Sequence, residues 1–334
     1  MLPAVLRGLP LPLRLLLTLL ACSLPTLTAC APAQQVGAAQ SRFSGDLTPR
    51  PEGSPDVLLL AFSGRCPPGC QAPNDNIDYL TPRGTVQAVA AVLEARGLSV
   101  QTDAAASHLG LHTPGAVSQA QAGAGNAVAA TQQGFVQLEE RLTQAEQQWV
   151  RGRSNPTRIV LLAHSHGVVW SHALARAHPE AQIAAMIDLD GVCDFWETDH
   201  RQDIQARLRT LGRNPWGFDL ADSCGSVLVG HIRYDLKDVV FPNVVSDLEV
   251  QSARLLGRPD GSFMANFPFD SLQNVRLDGS RTGIQTYRSP SDTHSSVSRP
   301  GSRAMAWVLA RMTELSADWT PATPAASPAA APQP

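Results

Sequence analysis

Short unbroken apolar runs alternate along this chain with stretches whose apolar positions recur every three or four residues. Asp56-Val-Leu-Leu-Leu-Ala-Phe62, Arg158-Ile-Val-Leu-Leu-Ala163 and Ile183-Ala-Ala-Met-Ile187 are the clearest runs. Each is too short for a helix and stops at small or polar residues, so each reads as a strand buried on both faces. Residues 98–102, 226–229 (extending toward Tyr234) and 284–288 read as further strands. Helical periodicity covers 80–97 through Val86, Val89, Val92 and Leu93, with Gly97 as a stop. It returns over 134–151, where Phe135, Leu138, Leu142, Ala145 and Trp149 mark an apolar stripe. Val168 to Ala177 and residues 302–316 are the other predicted helices. Small, polar, glycine-containing residues at 103–133 predict a loop, and residues 195–222, with Trp196 and Trp216, a cap-like excursion. Strands of this kind alternating with helices predict an α/β fold: a mostly parallel central sheet covered by helices on both faces.

Composition narrows what such a fold is for. Of the 334 residues 43% are hydrophobic and 16% charged, which excludes disorder over most of the length. The net charge is −3, the arginines are scattered and Lys237 is the one lysine. No basic stripe exists to neutralise phosphates, and three tyrosines and nine phenylalanines offer few stacking platforms, so no nucleic-acid partner is expected.

The ends differ from the middle. Arg7 and Arg14 precede the apolar run Leu15–Ala21, as in a secretory signal, and Leu27-Thr28-Ala29-Cys30 resembles a bacterial lipobox. That resemblance implies lipidation of Cys30, a membrane attachment through an N-terminal lipid anchor, and a cell-envelope location. A plain secreted form is the alternative, and Leu19-Leu20-Ala21-Cys22 is a weaker match. The expected organisation is a signal peptide over 1–30, a flexible tether over 31–55, one folded domain over 56–318 and a disordered tail over 319–334. An exported protein can hold disulfides, and of Cys66, Cys70, Cys193 and Cys224 the locally close Cys66 and Cys70 are the favoured pair. The spacings do not match a structural zinc site, so no metal is expected.

The chemistry concentrates at Arg158-Ile-Val-Leu-Leu-Ala-His-Ser-His-Gly-Val-Val-Trp170. An apolar strand runs into Ser165, a helix starts at once, and the serine's second neighbours, Ala163 and Gly167, are small. A serine on so sharp a turn takes strained backbone angles, and bulky second neighbours would clash. Its oxygen is then exposed at a helix N-terminus, where backbone N–H groups can hold an oxyanion.

With this motif the chain resembles the α/β-hydrolase superfamily, and within it small bacterial secreted lipases and esterases. The resemblance implies the order Ser, then Asp or Glu, then His. It makes Ser165 the nucleophile and His294, in Ile284-Gln-Thr-Tyr-Arg-Ser-Pro-Ser-Asp-Thr-His294 after the last strand, the base. His164, His166, His172, His178, His200 and His231 are the other histidines weighed. Asp238 is the favoured acid, because Asp238-Val-Val-Phe-Pro242 resembles an acid loop common in the superfamily; Asp235 and Asp190 stay open. The oxyanion hole is expected to use the N–H of His166 and a second donor after the first strand, Arg65 first and Ser63 next. Lipases usually have His-Gly in that loop, whereas Ser63-Gly64 stands here. A Cys66–Cys70 bridge would stiffen it.

The implied activity is hydrolysis of a small-molecule or lipid ester through an acyl-enzyme, with no cofactor. Residues 263–270 with Trp196 and Trp216 offer an acyl-binding surface. An amidase, thioesterase or acyltransferase would use the same triad. A non-catalytic binding lipoprotein on the same fold is the alternative of a different kind.

Overall fold

A computed structural model describes residues 47–64, 78–105, 135–193, 224–253 and 272–319. Six strands form one sheet: β1 (Val57–Phe62), β2 (Val100–Ala105), β3 (Arg158–His164), β4 (Ile183–Leu189), and two we label β8 (Val244–Ser252) and β10 (Ile284–Ser289). Between β4 and β10 lie the shorter β5 (Ser226–Val229), β6 (Ile232–Asp235), β7 (Val239–Val240) and β9 (Val275–Arg276). The sheet order is β10-β8-β4-β3-β1-β2, and every pair in it is parallel. The helices are α1 (Thr85–Glu94), α2 (Phe135–Ala145, continued as one π turn to Val150), α3 (Gly167–Ala177) and α4 (Arg303–Leu315). The fold is therefore the α/β architecture expected from the sequence, of the α/β-hydrolase type. The expected cap-like excursion lies outside the described residues.

Side-chain alternation sorts the core into two layers. Leu58, Leu60 and Phe62 of β1 point to one face with Ile159, Leu161 and Ala163 of β3, against Phe135, Leu138 and Leu142 of α2 and Val169 and Trp170 of α3. Val57, Leu59 and Ala61 point to the other, with Val160 and Leu162, against Val86, Val89 and Leu93 of α1 and Met305, Val308 and Met312 of α4. A fully buried aliphatic or aromatic side chain contributes about 1.5–3 kcal/mol, so this continuous double layer sets the sheet. Ser302 caps α4 by accepting the Met305 N–H at 3.0 Å.

Chain direction matters more for function than the core does. From β1 the chain winds outward to β2; from β3 it winds the other way to β4. The strand order thus reverses between β1 and β3, and in open α/β sheets the crevice at such a reversal, beyond the carboxyl ends of the strands, is where ligands bind.

Three expectations are corrected. Residues 226–234 are not one sheet strand but an antiparallel hairpin of β5 and β6 outside the main sheet. The strand next to β4 in the sheet is β8, which the sequence pattern did not predict. The packed chain also starts before 56. Arg50 is buried, pairs with Asp56 and donates to the Pro55 carbonyl at 2.8 Å, so the end of the presumed tether is pinned to the fold. At the other end Trp319 packs on the α1/α4 layer, under the Arg158 guanidinium at 5.4 Å.

β8 escaped notice because its inward positions on the α3 face are Asp247, Glu249 and Gln251, all buried. They meet Asp188 of β4, His172 of α3 and Asn274. The Asn274 amide donates to Asp188 at 3.0 Å and to Asp247 at 2.9 Å. His172 donates from Nδ1 to the Val239 carbonyl at 3.1 Å, and its Nε2 lies 2.6 Å from Asp188. Burial pushes Asp188 and Glu249 up to about 7, Asp247 well above the usual carboxyl value, and His172 down to about 4. Both members of the His172–Asp188 pair are thus driven toward their neutral forms.

These carboxyls have folded pKa values above their unfolded ones. For Asp188 and Glu249 the stabilising effect is complete below about pH 4, falls as pH rises, and is gone above about pH 7; for Asp247 it falls in the same direction as pH rises through its raised folded value. We expect Asp247→Asn to flatten the dependence of the urea midpoint on pH between 5 and 8, gaining stability at pH 8 relative to pH 5. An unaltered slope would show that Asp247 is already ionised in the folded protein across this window.

Candidate active site

Ser165 follows β3 at φ +60°, in the left-handed region that a non-glycine residue rarely occupies. Packing leaves it no alternative. Its N–H donates to the Leu189 carbonyl at 2.9 Å, and its carbonyl accepts from Val168 at 3.1 Å and Val192 at 3.3 Å. Around it the chain has no room for side chains. A Cβ on Gly167 would lie 2.3 Å from the Phe62 carbonyl oxygen, and one on Gly64 would lie 2.4 Å from the Ser165 Cβ. Ala163, in register with Phe62 on one side and Asp188 on the other, is fully buried.

His294 reaches this serine from the segment between β10 and α4. Its Nε2 accepts from the Ser165 hydroxyl at 2.8 Å, and its Nδ1–H donates to Asp190 Oδ2 at 2.7 Å. Asp292, two residues earlier, accepts from the Ser289 hydroxyl at 2.6 Å and from the Ala304 N–H at 2.9 Å, which fastens the segment to both flanking elements. Asp190 itself is fully buried at φ +56°, just past β4. The β8 end holds its carboxylate: the Ser252 N–H donates to Oδ1 at 2.5 Å and the Ser252 hydroxyl to Oδ2 at 2.6 Å. Gly191 follows because a Cβ there would meet Val168 at 2.8 Å. Both positive-φ non-glycine residues among those described, Ser165 and Asp190, therefore belong to one hydrogen-bonded chain.

The structure corrects the preferred acid. Asp238 sits in a 3-10 turn (Leu236–Asp238) where it is buried and bonded to Lys237, and the imidazole Nδ1 is taken by Asp190. The physical reason is topological. An acid at the carboxyl end of a sheet strand can face the serine; Asp235 ends, and Asp238 follows, a hairpin that is not in that sheet. Ser63 is corrected as an oxyanion donor as well. Its N–H donates to the Ala105 carbonyl at 2.9 Å, and its hydroxyl donates to Asp78 at 2.9 Å while accepting from Tyr79 and Leu80. The Gly64 N–H donates to the Tyr79 hydroxyl at 2.8 Å. Arg65, Cys66 and Cys70 lie outside the described residues, as do His200 and Cys30. His166 stands at the N-terminus of α3, its ring edge-on to Trp170 at 5.5 Å.

Of the other described histidines, His172 and His178 are buried away from the serine and His231 is exposed. His178 lies between Glu139 and Glu146, at 3.5 and 3.3 Å, and these two carboxylates raise its pKa against the effect of burial. A disulfide joins Cys193, three residues past Asp190, to Cys224 at the foot of β5. Among the described residues no group of histidine, cysteine and acidic side chains is arranged to hold a metal.

Strand order and the reversal between β1 and β3 define an α/β protein that carries a serine on a strained strand–helix turn at that reversal. No family model matches it, and no curated protein is similar to it. Solved structures align with the chain at low identity and low TM-score. The crystal structure of DphMB1 has 15% identity and a TM-score of 0.37, with 80% of each chain covered. The RedJ thioesterase of the prodiginine biosynthetic pathway in Streptomyces coelicolor has 12% identity and a TM-score of 0.32, over 81% of this chain and 94% of that one. A hypothetical protein from Pseudomonas aeruginosa PAO1 has 15% identity and a TM-score of 0.30, over 80% and 91%.

Crowding at the turn has a measurable consequence. Gly167→Ala pushes a Cβ into backbone that cannot yield, and we expect a loss of at least about 1–3 kcal/mol in denaturant unfolding. Gly301→Ala, where a Cβ meets nothing within 4 Å, is the control and should change little.

Proposed function

We propose that this protein is a serine hydrolase that cleaves carboxylic esters through an acyl-enzyme, with Ser165 as nucleophile, His294 as general base and acid, and Asp190 as the residue that orients and charge-stabilises the imidazole. What supports this reading is the unbroken chain of hydrogen bonds from Ser165 Oγ through His294 to Asp190, at 2.8 and 2.7 Å. His294 Nε2 takes the hydroxyl proton as Oγ attacks the acyl carbon, and the carbonyl electron pair moves onto its oxygen. Collapse of that adduct expels the alcohol, which leaves with the proton from Nε2. Water then repeats the sequence on the acyl-enzyme, giving the acid and restoring the serine. The N–H of His166, at the positive end of α3, is the donor we assign to the oxyanion.

The sequence Leu27-Thr28-Ala29-Cys30 supports a cell-envelope setting with a lipid anchor. Among the described residues no helix is long and apolar enough to cross a membrane. Thioesters, amides and transfer to an alcohol make the same demands on these three side chains, so a substrate panel selects among them.

A fluorophosphonate probe should label the protein on Ser165, and Ser165→Ala should lose both labelling and turnover of p-nitrophenyl esters while circular dichroism stays native. A parent protein left unlabelled would return the chain to a non-catalytic surface binding role. Asp190→Asn should lower kcat by about 10²–10⁴-fold, whereas Asp238→Asn should leave kcat per folded molecule near the parent value. The reverse ranking would reinstate Asp238 as the acid.

A further inference from the structure

His164, the residue before the serine, is buried and lies on the side of the sheet opposite to Ala163. Alternation along β3 puts it with Val160 and Leu162, on the α1/α4 face. Over that face runs the segment that carries His294. The His164 Nε2 lies 2.7 Å from the His294 backbone carbonyl, and the Tyr79 hydroxyl bonds to its Nδ1. The two rings are 4.9 Å apart between centroids.

The proton positions follow from what each atom can do. A carbonyl oxygen only accepts, so Nε2 carries the hydrogen and donates it to His294. In a neutral imidazole Nδ1 then has a lone pair, so the Tyr79 O–H donates to it. The Tyr79 oxygen is left to accept, and the Gly64 N–H donates to it at 2.8 Å. One directed chain therefore runs from the loop after β1, through Tyr79 and His164, to the backbone that bears the imidazole. Gly64 packs so close to Ser165 that a Cβ there would lie 2.4 Å from the serine Cβ, so the chain fixes two neighbours of the serine side chain. Groups facing the pair keep its protonation single-valued. Burial, then the nearby His294, hold the His164 pKa well below the usual imidazole value; burial holds the Tyr79 phenol protonated, although Arg83 stacks 4.1 Å from its ring.

We propose that Tyr79 and His164 are positioning residues for the reaction, a single hydrogen-bond chain that sets the His294 imidazole and the Gly64 loop in register around Ser165. The inference rests on the hydrolase reading above and adds to it two residues outside the triad. Their removal should act on the chemical step rather than on substrate capture, since small displacements of reacting groups cost up to about 100-fold.

The test uses the full chain, with active sites counted by fluorophosphonate titration. Tyr79→Phe keeps the ring and removes only the hydroxyl. It should lower kcat on p-nitrophenyl acetate by about 10-fold or more with KM changed less than about threefold. His164→Leu should do the same, while His164→Gln, which retains an N–H donor, should recover part of the loss. The Tyr79→Phe/His164→Leu pair should be no slower than His164→Leu alone, because both cut one chain. A merely structural role would reduce the number of titratable sites and leave kcat per site intact, and that result, or independent losses that multiply in the double variant, would overturn the proposal. A parent that neither labels nor turns over sinks the hydrolase reading and this inference together; an active parent with unaffected variants sinks this inference alone.

Discussion

Ser165 is held at φ +60° by close approach of backbone to backbone, and the other features of the site depend on that constraint. The Phe62 carbonyl stands where a side chain at 167 would have to go, and the Ser165 Cβ stands where one at 64 would go. With glycine at both places the ends of β1 and β3 can close on each other while α3 starts directly from the turn. The serine N–H finds the Leu189 carbonyl, so the elbow is tied to the end of β4 as well. The strain is local, and the double-layered core on either side of the sheet over-determines it. Because β4 is fixed there, Asp190 emerges just beyond it at the height of the serine, and β8 supplies Ser252 to hold its carboxylate.

Much of this was legible in the chain. The elbow could be read because its constraint is steric and local: small residues at fixed offsets, an apolar strand before and a helix after. His294 could be read because the last strand and the closing helix bracket it. Asp190 was less legible, since the choice among acids depends on which strands share the sheet. That in turn hung on β8, whose inward residues on one face are Asp247, Glu249 and Gln251. A pattern of this kind looks like a solvated edge, yet it is buried under α3 among His172, Asp188 and Asn274. The apolar 226–229 run was the natural substitute, and it carried the acid assignment to the wrong loop. Pairing of buried polar groups between distant segments leaves no periodic trace, so the error has a definite physical origin. The Tyr79–His164 link was missed for the same reason: a tyrosine in a loop and a histidine at the end of β3 become partners only once β1 and β3 lie side by side.

Among the described residues are two aspartate–histidine pairs of nearly the same separation, and comparing them shows what the proposed chemistry requires. His172 and Asp188 are 2.6 Å apart, His294 and Asp190 are 2.7 Å apart, and the two aspartates are separated by one residue along the same chain segment. Asp188 is still inside β4, so alternation sends it into the α3 layer, where burial favours the neutral acid. Asp190 lies past the strand end, at a positive φ that turns its side chain toward the β8 end and the His294 segment. Its imidazole partner keeps an edge at the surface, with 13% of its side chain exposed, and has the serine hydroxyl on its other nitrogen. For His172 the other nitrogen is spent on the Val239 carbonyl. A histidine whose two nitrogens both face fixed groups of the fold can move no proton to a substrate; one that faces a hydroxyl at the crevice between β1 and β3 can. The difference lies in one residue's displacement past the end of a strand.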